Sequence, residues 1–304
     1  MTTRWLILLP LALLLLAGCA PATSGGPSVA RSDDDQYANA HLLIETEQLA
    51  AQLQQPGLRI LDLRSQEKYA QGHIPGAVFF DTTQLKDPVE KLYAPGPETV
   101  ARILSAHGIS NETRVVAYDD QGGLWATRLW WVLDYYGHPQ AQVLNGGWNK
   151  WVKENRPVDQ SVPSVTPTPY TPKRNENVVC TLDYLLANLN RPDVVIVDAR
   201  TAAEYNGIDV RAQRGGHVPN AVNIDWQRNL TSEEPRVWKP ARELRQLYES
   251  AGVTPNKQVI TYCQTGVRAA HVFFTLRLLG YQTVRTYDGS WAEYGNRPDT
   301  PIAR

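Results

Sequence analysis

The sequence predicts an α/β protein made of two similar domains, each with a mainly parallel central sheet and helices on both faces. Short β-branched runs alternate along the chain with helical patterns, and this alternation is typical of parallel strands joined by helical crossovers. The motifs of the first half recur in the same order in the second half. The chain has 304 residues, which is enough for two domains of ordinary size.

The internal repeat consists of five short motifs: a strand ending in Asp-x-Arg, a Glu-Tyr or Lys-Tyr pair, a Gly-His-x-Pro turn, a second strand, and a Gly-rich turn before tryptophan. The matching segments are 60–64 and 195–200, 67–69 and 203–205, 72–77 and 216–221, 114–118 and 258–262, and 145–148 and 288–291. Between the copies, the segment 156–177 is rich in proline and predicts an extended linker. The predicted domains are therefore 38–155 and 178–304.

The N-terminus predicts an exported lipoprotein. An apolar run that begins at Trp5 is shorter than the roughly 18 residues that a membrane-spanning helix needs. It ends in Leu-Ala-Gly-Cys, which resembles a bacterial lipobox. This resemblance implies that residues 1–18 are a signal peptide, that Cys19 is lipidated, and that the protein is anchored in the cell envelope. Because Ala20 follows the cysteine, the pattern implies the outer membrane, facing the periplasm. The polar segment 19–37 predicts a flexible tether.

Charge balance and residue spacing give no support for a nucleic-acid partner or a metal site. The chain has 30 basic and 31 acidic residues, and this balance predicts no nucleic-acid partner. No spacing of His and Cys predicts a metal site, and we expect no cofactor and a monomer. If Cys19 carries lipid, two thiols remain, and a disulfide between Cys180 and Cys263 stays open. We expect Cys180 to be a packing residue near the start of a helix.

The candidate nucleophile is Cys263, which follows the apolar strand at 258–262. Sites in parallel sheets form at the carboxyl ends of strands. The helix predicted after the loop would offer unpaired N–H groups and partial positive charge, which favour a cysteine thiolate. The active-site loop is predicted to comprise Gln264, Thr265, Gly266 and Val267, followed by Arg268. Gly266 permits the tight path that lets backbone N–H groups surround a sulfur anion.

Taken together, these motifs resemble the tandem-domain rhodaneses of the thiosulfate sulfurtransferase type, over about residues 40–300. The resemblance implies a catalytic second domain and a non-catalytic first domain, with sulfur carried as a persulfide on Cys263. Asp119 stands in the first domain where Cys263 stands in the second, as expected for a domain without a nucleophile. The implied partners are a small anionic sulfur donor, thiosulfate, and a thiophilic acceptor such as cyanide or a protein thiol.

Two arginines are candidates for binding the donor anion. Rhodaneses place a substrate-binding arginine after the strand-end aspartate, and this implies Arg200; the alternative is an ion pair between Arg200 and Glu204 at helical spacing. Arg268 either binds substrate or braces the loop, and the residues favour neither role.

The histidines are expected to have structural roles. His73 and His217 occupy the same turn in both copies, so we expect loop hydrogen bonds there and no part in acid–base chemistry. His271 is expected to be an ordinary polar position on its helix.

Three other functions stay open at this stage. A 3-mercaptopyruvate sulfurtransferase would use the same loop with a different donor. A membrane-tethered persulfide carrier would show an identical loop and deliver sulfur to a protein. Cysteine-loop phosphatases and arsenate reductases have a longer loop between cysteine and arginine than the one here, which favours a sulfur atom over a tetrahedral phosphate.

Overall fold

The computed structural model describes residues 1–3 and 35–304. Residues 4–18 of the predicted signal peptide, the lipidation site at Cys19 and most of the tether lie outside the described residues. Within the described ranges, no helix has the length and apolar character that a bilayer crossing requires.

The first domain contains a five-stranded sheet in the order β1-β5-β4-β2-β3, and every neighbouring pair is parallel. Its strands are β1 (Leu43–Ile44), β2 (Leu58–Asp62), β3 (Val78–Phe79), β4 (Arg114–Tyr118) and β5 (Ala141–Leu144). Its helices are α1 (Thr46–Ala50), α2 (Gln66–Gln71), α3 (Pro97–Ala106), α4 (Leu124–Tyr135) and α5 (Gly147–Lys153).

The second domain repeats this topology in the order β6-β10-β9-β7-β8, again with parallel pairs throughout. Its strands are β6 (Val179–Cys180), β7 (Val194–Asp198), β8 (Val222–Asn223), β9 (Gln258–Tyr262) and β10 (Val284–Tyr287). Its helices are α6 (Leu182–Asn188), α7 (Ala202–Tyr205), α8 (Ala241–Glu249), α9 (Val267–Leu278) and α10 (Ser290–Tyr294).

The central strands β4 and β9 coincide with the apolar runs from which parallel strands were predicted. Four of the five residues in each strand are buried, as expected for strands covered by helices on both faces. The predicted α/β fold with two similar sheets is therefore confirmed.

The two domains pack through α4 and α9, which follow the loops at the ends of β4 and β9. Nearly all residues of α9 are buried, so this helix forms part of a core shared by both domains. Each loop consequently lies against the opposite domain. The first-domain loop, 119–123, contacts the Leu230 and Trp238 side chains, and the second-domain loop, 263–266, contacts Lys86 and Arg128.

Candidate active site

Cys263 lies directly after β9 and is only 1% exposed. Its N–H donates to Ser290 Oγ at 3.2 Å, and its carbonyl accepts from the Trp291 N–H at 2.9 Å. The start of α10 therefore fixes the backbone of the predicted nucleophile. Gly266, with φ +81°, is the N-cap of α9, and its left-handed conformation makes the turn from strand to helix possible.

The first-domain loop shows what this backbone geometry binds. The buried Asp119 carboxylate accepts four backbone hydrogen bonds, from Gln121 (2.7 Å), Gly123 (2.9 Å), Trp125 (2.8 Å) and Ala126 (2.9 Å). Burial raises the pKa of Asp119, and these N–H donors act in the opposite direction. The loop between β4 and α4 thus forms an anion cradle, which is a set of backbone N–H donors directed at one site. The Asp119 carboxylate of the loop itself occupies that site.

Matching α4 to α9 residue by residue transfers three of these donors to the second domain, and the corresponding N–H groups belong to Gly266, Arg268 and Ala269. The second-domain loop, 263–266, is one residue shorter than the first-domain loop, 119–123, so Gln121 has no single counterpart. Within the described chain, no protein group accepts from any of these three N–H groups. The cysteine side chain is too short to fill the cradle as a carboxylate does, so the donors remain available to an anion bound to the Cys263 sulfur.

Arg268 makes a bidentate ion pair with Glu204, at 2.6 and 2.7 Å. Glu204 is completely buried, and it also caps α7 by accepting from Thr201. The Arg268 guanidinium and the Thr201 donors outweigh burial and hold the pKa of Glu204 down at about 2. The alternative considered for Arg200, an ion pair with Glu204, is not formed, because the Glu204 carboxylate faces Arg268. Arg268 is half-buried, and its positive charge acts on Cys263.

Arg200 is buried and held by several neighbouring groups. Its guanidinium pairs with Asp198, at 2.7 Å, and donates to the Gly216 carbonyl, also at 2.7 Å, while its cation lies over the Trp291 ring. The first domain repeats this arrangement with Arg64 and Asp62 although it has no nucleophile. The contacts therefore argue against the predicted substrate-binding role of Arg200 and favour a buried brace that belongs to the fold.

The remaining loop residues are held by neighbours. Gln264 donates through Nε2 to the Arg211 carbonyl at 3.0 Å, and Val267 opens α9 with its side chain 7% exposed. Lys86 of the first domain donates through Nζ to the Thr265 carbonyl at 2.9 Å. No pattern in the sequence indicated Lys86, because it lies outside the repeated motifs.

A buried ion pair between the two domains lies against the second-domain loop. Arg128 on α4 pairs with Asp288 at 2.6 Å, and both side chains are almost completely buried. The other oxygen of Asp288 accepts from the Ala94 N–H at 2.6 Å. Asp288 also lies against Gly266, where a Cβ atom would come within 2.4 Å of its Oδ1. A glycine is therefore required at 266 by both backbone conformation and space.

The histidines differ in outcome. His73 and His217 each donate through Nδ1 to a tyrosine carbonyl and stack on the ring of that tyrosine, consistent with the structural role expected for them. The expectation for His271 is wrong, because His271 is fully buried between the domains. It stacks on Trp238 and donates to the Gly122 carbonyl at 3.1 Å, and burial lowers its pKa to about 4.

Cys180 and Cys263 are both free thiols in the structure. Cys180 lies at the end of β6, where burial raises the pKa of its thiol to about 12. Such a thiol is inert at neutral pH, in agreement with a packing role. Among the described residues, no cluster of His, Cys, Asp and Glu could hold a metal ion.

Comparison with known proteins assigns both halves of the chain to the same protein family. A family model described as "Rhodanese-like domain" matches residues 45–154 and 181–297. The chain is 38% identical over 270 residues to a thiosulfate sulfurtransferase of Azotobacter vinelandii, covering 88% of this chain and 99% of that protein. It is 36% identical over 283 residues to the sulfur carrier protein TtuD of Thermus thermophilus, covering 88% and 98%.

The solved structures agree. The 3-mercaptopyruvate sulfotransferase SseA of Escherichia coli superposes with a TM-score of 0.74 at 30% identity, covering 82% of this chain and 98% of that chain. The predicted family and fold are thus confirmed, and the chain belongs to the rhodanese family, with one rhodanese-like domain in each half.

Proposed function

We propose that this protein is a thiosulfate sulfurtransferase that carries sulfur as a persulfide on Cys263. The observation that carries this proposal is the pair of matched loops. One is filled by the Asp119 carboxylate, and the other has Cys263 at the same strand end and leaves the N–H groups of Gly266, Arg268 and Ala269 without an acceptor among the described residues. The relatives named as thiosulfate sulfurtransferases support the choice of donor.

The reaction divides into two half-reactions. The Cys263 thiolate attacks the outer sulfur of thiosulfate, the new S–S bond forms, and sulfite leaves with the electron pair of the old S–S bond. The resulting persulfide anion accepts from the loop N–H groups, as an oxyanion does in its hole. An acceptor such as cyanide then attacks the terminal sulfur, and the cysteine thiolate leaves. Sulfur, charge and electrons balance without a cofactor, and ping-pong kinetics follow.

We propose Arg268 as the cation that binds the donor anion. Its bidentate bond to Glu204 fixes the guanidinium beside the loop, and its charge acts on Cys263. The near-complete burial of Cys263 favours a small sulfur donor over a bulky ester. Together with family membership, this sets aside the phosphatase alternative.

The thiosulfate:cyanide assay tests the proposal on three proteins: wild type, Cys263→Ala and Cys180→Ser. We expect loss of turnover by at least about 1000-fold in Cys263→Ala, since no other group replaces a covalent nucleophile. Cys180→Ser, which removes the other described thiol, should retain wild-type turnover. Intact-mass analysis after thiosulfate should show one added sulfur, about 32 Da, on wild type only. Thiocyanate formation by Cys263→Ala at the wild-type rate would refute the proposal.

Two alternatives keep the family and the persulfide. The likeness to SseA favours a test of 3-mercaptopyruvate, and the ratio of kcat/KM for the two donors decides between them. The likeness to TtuD favours a carrier function, in which sulfur passes slowly to cyanide but rapidly to a protein thiol.

The cellular location is part of the same proposal. We propose a monomer tethered by lipid on Cys19 to the outer membrane, with the two domains in the periplasm. The lipobox-like tetrapeptide at the N-terminus and the polar segment after it support this. Globomycin should block processing of the precursor, and the wild type should fractionate with membranes while a Cys19→Ala variant does not. A wild type found in the soluble fraction would contradict lipidation.

A further inference from the structure

In both loops, a side chain from the opposite domain holds the carbonyl of the last peptide group before the helix. In the first domain, His271 Nε2 donates to the Gly122 carbonyl at 3.1 Å. The N–H of that same peptide group, on Gly123, donates to Asp119 at 2.9 Å. Because a trans peptide directs its C=O and N–H in opposite directions, a donor that fixes the carbonyl also aims the N–H.

The matching peptide group of the second domain joins Thr265 to Gly266. Lys86 Nζ donates to the Thr265 carbonyl at 2.9 Å, so the Gly266 N–H points away from Lys86. In the first domain the corresponding N–H binds the Asp119 carboxylate. By this match, the Gly266 N–H faces the sulfur of Cys263.

Lys86 occupies a position that does not need a charge for folding. It follows the 3₁₀ turn Thr82–Leu85, and Leu230 follows the matching turn Trp226–Asn229 in the second domain. Leu230 is buried against Gly122, as Lys86 is packed against the active-site loop. The same scaffold therefore accepts a leucine at one loop and has a lysine at the other.

Burial destabilises the charged form of Lys86. Burial and the nearby Arg128 lower the pKa of its ammonium group, and Asp288 and the Cys263 sulfur favour the charged form. Carbonyl oxygens of Thr265 and Leu92, at 2.9 and 3.4 Å, are its hydrogen-bond acceptors. An ammonium group on the Thr265 carbonyl polarises that peptide group and strengthens its N–H as a donor.

On the basis of the proposed sulfurtransferase function, we propose that the first domain supplies a positioning residue to the active site. Lys86 clamps the Thr265 carbonyl, aims the Gly266 N–H at the sulfur on Cys263, and adds positive charge beside the persulfide. The domain without a nucleophile is then part of the sulfur-transfer machinery and not only a structural partner.

The test compares Lys86→Met, which removes the charge, Lys86→Arg, which keeps it, and Lys91→Met, which removes an exposed charge from the same segment. All are made in a Cys180→Ser background, and alkylation by iodoacetamide is read on the peptide that contains Cys263, so that Cys19 does not contribute. In Lys86→Met we expect alkylation at neutral pH to slow about five-fold, and the difference to vanish at alkaline pH where every thiol is ionised. Its kcat/KM for thiosulfate should fall about ten-fold. Lys86→Arg and Lys91→Met should stay within about two-fold of the parent.

Equal alkylation and equal kcat/KM in Lys86→Met and the parent would overturn the inference, as would a Lys86→Arg variant as impaired as Lys86→Met. Lys86→Leu, which copies the first-domain arrangement at Leu230, provides a second charge-free variant if Lys86→Met fails to fold. Alkylation needs no thiosulfate, so it tests Lys86 even if the proposed function fails. Conversely, equal kcat/KM in the parent and in Lys86→Met refutes only the role of Lys86.

Discussion

The two loops that follow β4 and β9 both end in a left-handed glycine that caps the next helix, but the second loop is one residue shorter and the side chains around the two loops differ. The matched residues are Cys263 and Asp119, Arg268 and Trp125, Lys86 and Leu230, Arg128 and His271, and Asp288 and Asn145. The second-domain set is ionic, whereas the first-domain set is neutral apart from Asp119. Even the interdomain bond is repeated, since Asn145 accepts from the Trp238 N–H at 3.1 Å as Asp288 accepts from Ala94.

This difference shows how one scaffold gives a filled site and a reactive one. The Asp119 carboxylate satisfies its own loop, so that loop is complete without a ligand. The second-domain loop leaves N–H donors for a transient sulfur anion, and buried donors without acceptors are costly to a fold. The buried Arg128–Asp288 pair beneath Gly266 fixes that less satisfied loop from the first domain.

The largest effect is expected from breaking the Arg268–Glu204 pair, which distinguishes the reactive loop most clearly. Arg268→Ala leaves a fully buried carboxylate without its cation, so the free energy of unfolding should fall by about 3 kcal/mol. We expect kcat/KM for thiosulfate to fall about 100-fold. Urea unfolding and the thiosulfate:cyanide assay measure the two effects.

The double variant Arg268→Met, Glu204→Gln separates the two roles of Arg268. It removes both charges, so the free energy of unfolding should return toward the wild-type value while turnover stays low. Recovery of turnover together with stability would instead make Arg268 a loop brace without a part in binding the donor.

An intermediate effect is expected from removing the Asp119 carboxylate that fills the first-domain loop. Asp119→Ala removes the acceptor of four backbone N–H groups, so the free energy of unfolding should fall by about 2 kcal/mol. Turnover at Cys263 should stay within about two-fold of wild type. The matched control is Asp120→Ala, which removes the neighbouring carboxylate paired with the exposed Lys68 and should cost less than about 1 kcal/mol. A larger loss in the control would contradict the anion-cradle description of this loop.

The smallest effect is a dependence of the free energy of unfolding on pH. It should come from His271, which holds the first-domain loop. The folded pKa of His271 is about 4, below the value of about 6.5 for an unfolded histidine, so the unfolded chain binds more protons between these values. Stability is therefore complete above pH 6.5 and is lost as the pH falls toward 4, by on the order of 2 kcal/mol.

Urea unfolding of wild type and His271→Gln across this range measures the effect. The loss should be smaller in His271→Gln, because glutamine carries no proton to gain. Glu204, with a folded pKa of about 2, loses its contribution only below about pH 4.5 and so acts in a separate window. Parallel curves for the two proteins between pH 6.5 and 4.5 would rule out His271 as the source.

Much of the fold could be predicted from contiguous residues. The apolar runs that become β4 and β9 and the helical patterns that become α4 and α9 are local, because strand and helix periodicities are written in neighbouring positions. The repeat then indicated two copies of one domain. Cys263 was identifiable from its place between a strand and a helix, and Asp119 from its place in the other copy.

The partners of the charged side chains could not be predicted in the same way. Sequence spacing allowed Glu204 to pair with Arg200, but the backbone path turns Glu204 toward Arg268, and Arg200 folds back onto Asp198. His271 looked like a polar helix position because its helix pattern gives no sign that a second domain covers that face.

By itself, the sequence determined the family, the duplicated α/β fold and the cysteine between strand and helix, since each depends on short motifs whose geometry is local. Only the tertiary structure decided which charges surround that cysteine. Lys86 and Thr265 are far apart in the chain, and Arg128 and Asp288 belong to different domains. Contacts of this kind form when two folded surfaces meet, and no local periodicity encodes them.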